Sequence, residues 1–471
     1  MIPRTLQPRL EALVGQYPAV FLTGPRQSGK TTLARATFPE FHYVSLEDLQ
    51  NRQRVADDPR GFLRRLEGAG GVILDEVQRV PELFSYLQGF LDEERGGPFV
   101  LTGSQHFLLS ERISQSLAGR TAILELLPLS LAEATGRRAL DPEQVADPAT
   151  LGEDAPTELL DDVLFRGGFP RVHDRDLDPT TWFDGYVRTY LERDVRSLSN
   201  VDSLESFSRF VALCAGRSGQ LLNASGLASD AGVSHATARR WISILQASYV
   251  LDLLPPHHEN FSKRIIKSPK LHFLDTGLLC YLLGLRRSED LALHPLRGAI
   301  FETFVVAELR KGFLHHGQRP RLYFWRDSTG REVNALLDFG TRRVPIEAKT
   351  GETVLREAFR GLDHYLSLSG DQTGVLVYGG GESFPRGRHL VRSWWHLAGT
   401  APKGQGGRGC PPPRGGEGQG EGEISPGVRG LSPPRSPSRR GSPRTGAAPR
   451  PAPRAGIARG PRAAPAGRRA R

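Results

Sequence analysis

Residues Gly24 to Thr31 read GPRQSGKT, the residue types and spacing that hold a polyphosphate. In such a turn Gly24, Pro25, Arg26, Gln27, Ser28 and Gly29 aim successive backbone N–H groups inward as an anion nest. The nest lies at the positive end of a helix opened by Lys30, Thr31 and Thr32. Lys30 is expected to reach the β- and γ-phosphates, and the Thr31 hydroxyl to hold Mg²⁺. The apolar run Ala19, Val20, Phe21, Leu22 just before it reads as a buried strand, so strand, turn and helix come in the required order.

Further along, Gly71 to Glu76 read GVILDE, an apolar strand ending in two carboxylates. Parallel strands deliver such ends to the ligand crevice. Asp75 is placed for the Mg²⁺ shell and Glu76 to polarise a water against the γ-phosphate. A second buried strand, Phe99 to Thr102, ends in Gly103, Ser104 and Gln105; Ser104 or Gln105 would hydrogen-bond the attacking water or the γ-phosphate. Phosphoryl transfer asks for positioning and charge neutralisation rather than covalent chemistry, so these parts suffice for slow hydrolysis. The remaining part, an arginine finger, is often supplied by another molecule. Arg120 is the candidate; a surface salt bridge is its other reading.

The elements that must position these groups follow from periodicity. Strand-like runs near residues 19–22, 42–45, 72–74, 99–102 and 122–126 alternate with helical or loop segments, the rhythm of a parallel sheet covered on both faces. Residues 1–134 thus form an α/β phosphate-loop domain. A polar, loop-rich linker and a helical stretch follow over 135–198, in which Trp182, Tyr186 and Leu191 recur near helical spacing as a core stripe. Over 199–262, Asn223 can cap a short helix and Gly232 can turn into a second helix from Ser234. Ala238, Trp241 and Leu245 then face inward, a winged helix-turn-helix signature in which Tyr249 to Pro256 could form the wing. DNA would meet His235, Thr237, Arg239 and Arg240; the same fold also serves as a protein-packing module.

Residues 263–398 carry an α/β layout like that of restriction-endonuclease-like enzymes, with a helical Glu302, then Asn334, then Glu347 and Lys349 on one face of a strand. Two carboxylates there would hold Mg²⁺ and the lysine would orient a water. Asn334 stands where a charged oxygen is wanted, so an inactive nuclease-like domain is expected; Asp338 is too far along the strand to replace it. The pairs His257-His258 and His315-His316 lack further ligands at metal spacing and read as solvated loop residues.

In combination, GPRQSGKTT, VILDEVQRVPELF, VLTGSQ and SLAGRTAILELLPLS resemble a prokaryotic family of AAA-type ATP-binding proteins whose C-terminal half is a domain of unknown function. The likeness continues in Tyr186 to Leu198, in Leu271 to Gly284 and from Gly298 through Lys349, and covers residues 1 to 395. It implies an ATPase core joined to a winged-helix and nuclease-like region, with adenine as the base.

The net charge of +10 misleads. Residues 401–471 hold 15 Arg and Lys against 3 Glu, which leaves −2 for residues 1–400, so charge gives no general case for nucleic acid. That tail (399–471) is Pro-, Gly- and Arg-rich and is expected to be disordered. A basic nucleic-acid arm, a partnerless extension and translation outside the natural frame all remain open for it. No run approaches the ~18 apolar residues that span a bilayer. The N-terminus lacks a signal-peptide layout, and three scattered cysteines form no framework, so a cytoplasmic setting fits. Three functions suit these parts: an Mg²⁺-dependent ATPase switching an effector region, with a homo-oligomer or protein partner supplying the finger; a double-stranded-DNA-binding regulator that uses ATP as a switch; and an ATP-powered nuclease, against which Asn334 argues.

Overall fold

Along the strand Ala19–Thr23 (β1), Val20 and Leu22 pack with Leu10, Leu33 and Phe38, whereas Ala19 and Phe21 pack with Leu63, Leu87 and Leu101. A strand apolar on both sides needs a sheet covered on both faces. The computed structural model, which describes residues 1–93, 96–104, 117–191, 204–257, 267–397 and 399–400, provides one. Helix α1 (Gln7–Val14) precedes β1; then come α2 (Lys30–Thr37), β2 (His42–Ser45), α3 (Leu49–Asp57), α4 (Pro59–Arg64), β3 (Val72–Asp75), α5 (Leu83–Asp92), β4 (Phe99–Gly103) and β5 (Thr121–Glu125). The strands are all parallel in the order β2-β3-β4-β1-β5. Helices α1 and α2 cover one face, and α3, α4 and α5 the other. The register sets Leu22 beside Thr102 and Ser45 beside Asp75, so the polar strand ends converge on one edge. Gln105, Arg193, Asp194, His258 and residues 401–471 lie outside the described residues.

The middle of the chain begins with α6 (Leu160–Arg166) and α7 (Pro179–Tyr186), where Trp182 and Tyr186 stack at 5.2 Å beside Phe169. Helices α8 (Leu204–Ala215), α9 (Ala224–Ala231) and α10 (His235–Ala247) follow. Asn223 Oδ1 accepts from Gly226 N, Gly232 turns at φ 71°, and the Ser234 side chain accepts from Thr237 N; these caps start, end and restart the helices. Ala238, Trp241 and Leu245 are buried. Strand β6 (Leu251–Leu254) pairs antiparallel with β7 (Lys270–Phe273), which also pairs with Gln220–Leu221. That pairing runs across residue 262, where a domain division was expected, and residues 251–254 of the segment expected as the wing form one of its strands.

After α11 (Thr276–Leu282) and the long α12 (Arg297–His315) comes a mixed sheet. Its elements are β8 (Leu322–Arg326), β9 (Glu332–Asp338), β10 (Arg343–Lys349), α13 (Arg360–Ser369), β11 (Gly374–Tyr378), β12 (Phe384–Arg386) and β13 (His389–Ser393), and the strand order is β8-β9-β10-β11-β13-β12. β8, β9 and β10 are antiparallel, whereas β10, β11 and β13 are parallel. α12 covers one face and α13 the other.

Three expectations need correction. The polar stretch near residues 141–156 is not a loose linker: the buried Arg392 guanidinium donates to the Val145 and Thr150 carbonyls, and Trp395 Nε1 donates to Asp154. Arg392 thereby satisfies backbone carbonyls that lack a ladder of their own, something composition alone cannot show. Gly399–Thr400, assigned to the tail, pair antiparallel with Arg138–Ala139. His257 and His315 are not solvated: His257 Nε2 sits 3.2 Å from Asp338, and His315 ends α12 buried beside Glu133 at 3.1 Å. Cys214 and Cys280 are free, buried thiols. No helix among the described residues is long and apolar enough to cross a membrane.

Candidate active site

The turn after β1 is built from positive φ angles: Gly24 at 150°, Gln27 at 62° and Gly29 at 95°. A Cβ on Gly24 would lie 2.1 Å from the Leu126 carbonyl oxygen. Gly24→Ala is therefore expected to lower stability by ~1–3 kcal/mol, from overpacking and backbone strain, read as an earlier urea midpoint. Gly29 caps α2 without any side-chain hydrogen bond, so the first N–H groups of the helix remain open donors. Gln27 Oε1 and Ser28 Oγ are buried with no partner, orphans that suit a ligand filling the turn. The buried Lys30 ammonium donates to the carbonyls of Gly24 (3.0 Å) and Pro25 (2.7 Å). Burial pulls its pKa down to about 8, with Glu76 and Asp75 holding it up.

The convergence of strand ends brings Thr31 Oγ1 to 2.6 Å from Asp75 Oδ1. Thr102 from β4 donates to the same oxygen, and the Tyr43 hydroxyl from β2 donates to Asp75 Oδ2 at 3.1 Å. Glu76 takes the left-handed conformation, φ 58°, just past β3. Its Oε2 accepts from Ser104 Oγ (3.2 Å) and from the Gln78 amide. Thr31, Asp75, Glu76 and Ser104 are thus brought together as expected, whereas Gln105 falls outside the described residues. Arg120 lies elsewhere: it precedes β5, at the edge opposite the turn, and forks onto Asp92 with Nη2 3.0 Å from Oδ2.

An open cleft of about 590 Å³ lies over the turn, with Gln27, Lys30, Thr31 and Glu76 on one wall. Arg171, Asp174 and Arg175, from the segment after α6, line it too, with Arg175 Nε 3.8 Å from Asp174 Oδ2. Tyr43, Gln78, Thr102 and these two arginines were missed from sequence; only the parallel register, read strand against strand, would have pointed to Tyr43 and Thr102. Arg4 was missed too. Its guanidinium donates to the carbonyls of Ser28 (2.6 Å) and Leu127 (2.7 Å) and pairs with Glu133 at 3.2 Å. Glu133 also meets His315 of α12, so one buried chain of contacts runs from the turn to the C-terminal region. Burial would raise the Glu133 carboxyl, but His315 and Arg4 together hold it well below the usual range. A second link is Tyr249, whose hydroxyl donates to Thr23 Oγ1 at the end of β1.

The other expected sites are laid out as follows. On α10, His235, Arg239 and Arg240 are exposed and Thr237 is half-buried. Glu302 on α12 hydrogen-bonds Asn334 and lies near Glu347, whose Oε1 is 2.7 Å from Lys349 Nζ, so these four do come together. Asp338 instead faces His257. Lys270 and Glu332 join that cluster unannounced by sequence. His272 beside it is fully buried, near Lys270, Glu302 and Thr303, and burial first, then Lys270, lower its pKa to about 3. A histidine depressed in the fold contributes stability above its unfolded pKa and loses it as pH falls from about 6.5 toward 3. Moving from pH 7 to pH 5 is expected to cost the wild type on the order of 2 kcal/mol more than His272→Gln, by urea midpoints.

Comparison with known proteins matches residues 16–135 to an AAA domain, 157–289 to a domain of unknown function (DUF8612) and 297–397 to another (DUF4143). An uncharacterized protein of Mycobacterium tuberculosis is 32% identical over 352 residues, 73% of each chain. One of Methanocaldococcus jannaschii is 22% identical over 311 residues, 62% of this chain and 67% of that one. Among solved structures, a Walker-type ATPase of Pyrococcus abyssi is similar at 16% identity and TM-score 0.42, covering 60% of this chain and 96% of that one.

Proposed function

This chain belongs to the family of proteins that join an AAA domain to a C-terminal domain of unknown function, and we propose that it hydrolyses ATP to ADP and phosphate to switch its C-terminal region. The observation that carries the reading is the meeting of Thr31 with Asp75 beneath an uncapped helix end, with Glu76 alongside. Open N–H donors and Lys30 would bind the triphosphate, and Thr31 and Asp75 are the hard oxygens that would hold Mg²⁺. That ion, when bound, supplies neutralising charge to the β- and γ-phosphate oxygens. Glu76, held by Ser104 and Gln78, would orient and polarise the attacking water. Arg171, in the lining of the same cleft, would add positive charge toward the phosphates, and Arg120 of a neighbouring molecule remains the candidate finger.

The switch would act on a winged-helix and nuclease-like effector through the two contacts that reach the turn, Arg4–Glu133–His315 and Tyr249–Thr23. A second reading, a DNA-binding regulator, is favoured by one observation: α10 leaves His235, Arg239 and Arg240 exposed along a capped helix. Phosphate release by the full chain, with and without duplex DNA and beside Glu76→Gln, tests both. DNA-stimulated turnover lost in Arg239→Ala/Arg240→Ala would support nucleic acid as the effector's target. Turnover indifferent to DNA would point the effector at a protein, and none above the Glu76→Gln rate would remove the hydrolase reading.

A further inference from the structure

Lys270, at the start of β7, buries its ammonium between carboxylates of two other elements. It lies 2.6 Å from Glu302 Oε1 on α12 and also pairs with Glu332 Oε1 on β9. Its side chain is only 3% exposed, and the cluster it joins is the one where a nuclease-like fold calls for a divalent metal. Three carboxylates, Glu302, Glu332 and Glu347, here face three cations, Lys270, Arg326 and Lys349, each within 4 Å of a carboxylate. The cluster is therefore neutral without a metal, and a divalent ion would carry two uncompensated charges into a buried space. Asn334 fits the same account. Its Oδ1 accepts from Ala348 N at 2.9 Å while its amide hydrogen-bonds Glu302, a donation an aspartate could not make. Among the described residues, no group of three His, Cys, Asp or Glu is placed to hold a metal.

We infer that Lys270 is this cluster's resident cation, standing in the place of a divalent metal and making the nuclease-like site a closed junction between the three-stranded sheet and the mixed sheet. The junction does not depend on how the nucleotide site works. Removing the ammonium leaves Glu302 and Glu332 short of a partner beside Glu347, whose Oε2 is already buried without one. Lys270→Met therefore frees these carboxylates to close around a metal ion, which they are not placed to hold in the wild type.

The test is Mn²⁺ titration of the full-length protein followed by electron paramagnetic resonance, with Glu347→Gln as reference so that binding at other carboxylates cancels. The wild type is expected to match Glu347→Gln, and Lys270→Met to gain a site at least tenfold tighter that Lys270→Met/Glu347→Gln lacks. A Mn²⁺ site in the wild type that Glu347→Gln abolishes overturns the proposal, as does a folded Lys270→Met protein that gains nothing. The wild-type comparison decides even if Lys270→Met does not fold.

Discussion

Lys30→Ala will weaken ATP binding by at least a hundredfold, about 2.7 kcal/mol for loss of a charge-assisted contact to phosphate. The expectation rests on where the ammonium sits rather than on the motif alone. It is buried against Gly24 and Pro25, inside the same turn whose N–H groups would meet the anion. Its desolvation, which lowers its pKa to about 8, is offset by the charge of an arriving polyanion, so ligand and lysine stabilise each other's charge. Because the substitution also frees two carbonyls, the melting temperature must be measured beside calorimetric ATP binding. Saturable binding at wild-type strength in a folded Lys30→Ala protein would sink the assignment of the site.

Glu76→Gln has the opposite signature: ATP stays bound and turnover falls by roughly 10²–10⁴-fold, the usual worth of a positioned base. The geometry makes this a clean change. Ser104 and Gln78 both donate to Glu76 Oε2, and an amide oxygen still accepts both bonds, though each is weaker than to a carboxylate. What disappears is the charge that polarises water. Single-turnover phosphate release measures the loss, and nucleotide retained through gel filtration measures the trap. Near-wild-type release would move the base to another residue.

The phosphate loop was legible because its chemistry is local: eight consecutive residues carry the turn, the lysine and the hydroxyl. The central strands β1, β3 and β4 were legible too, since each is a short run buried on both faces, whereas the edge strands β2 and β5 are only partly buried. The partners of Asp75 were not. Tyr43 and Thr102 lie 32 and 27 residues away and reach it only through parallel register. Lys270 was hidden for a stronger reason: it belongs to one sheet, while Glu332 belongs to another and Glu302 to the helix between. His315 misled because a His-His pair near a polar segment looks solvated, and only the fold brings Glu133 to it. Periodicity reports which way a residue faces; it says nothing of what waits there.

The chain of contacts from Arg4 through Glu133 to His315 has a consequence for how such proteins can be assembled from parts. Glu133 lies near the end of the segment that matches an AAA domain, yet one of its partners sits on a helix more than 150 residues later. A polypeptide cut at residue 135 would open that carboxylate to water and strip Arg4's neighbour of its own support. Exchanging the front half for a relative's would do the same unless the histidine travelled with it. The seam is a lock with its key on the far side, so the halves are swappable only as a matched set.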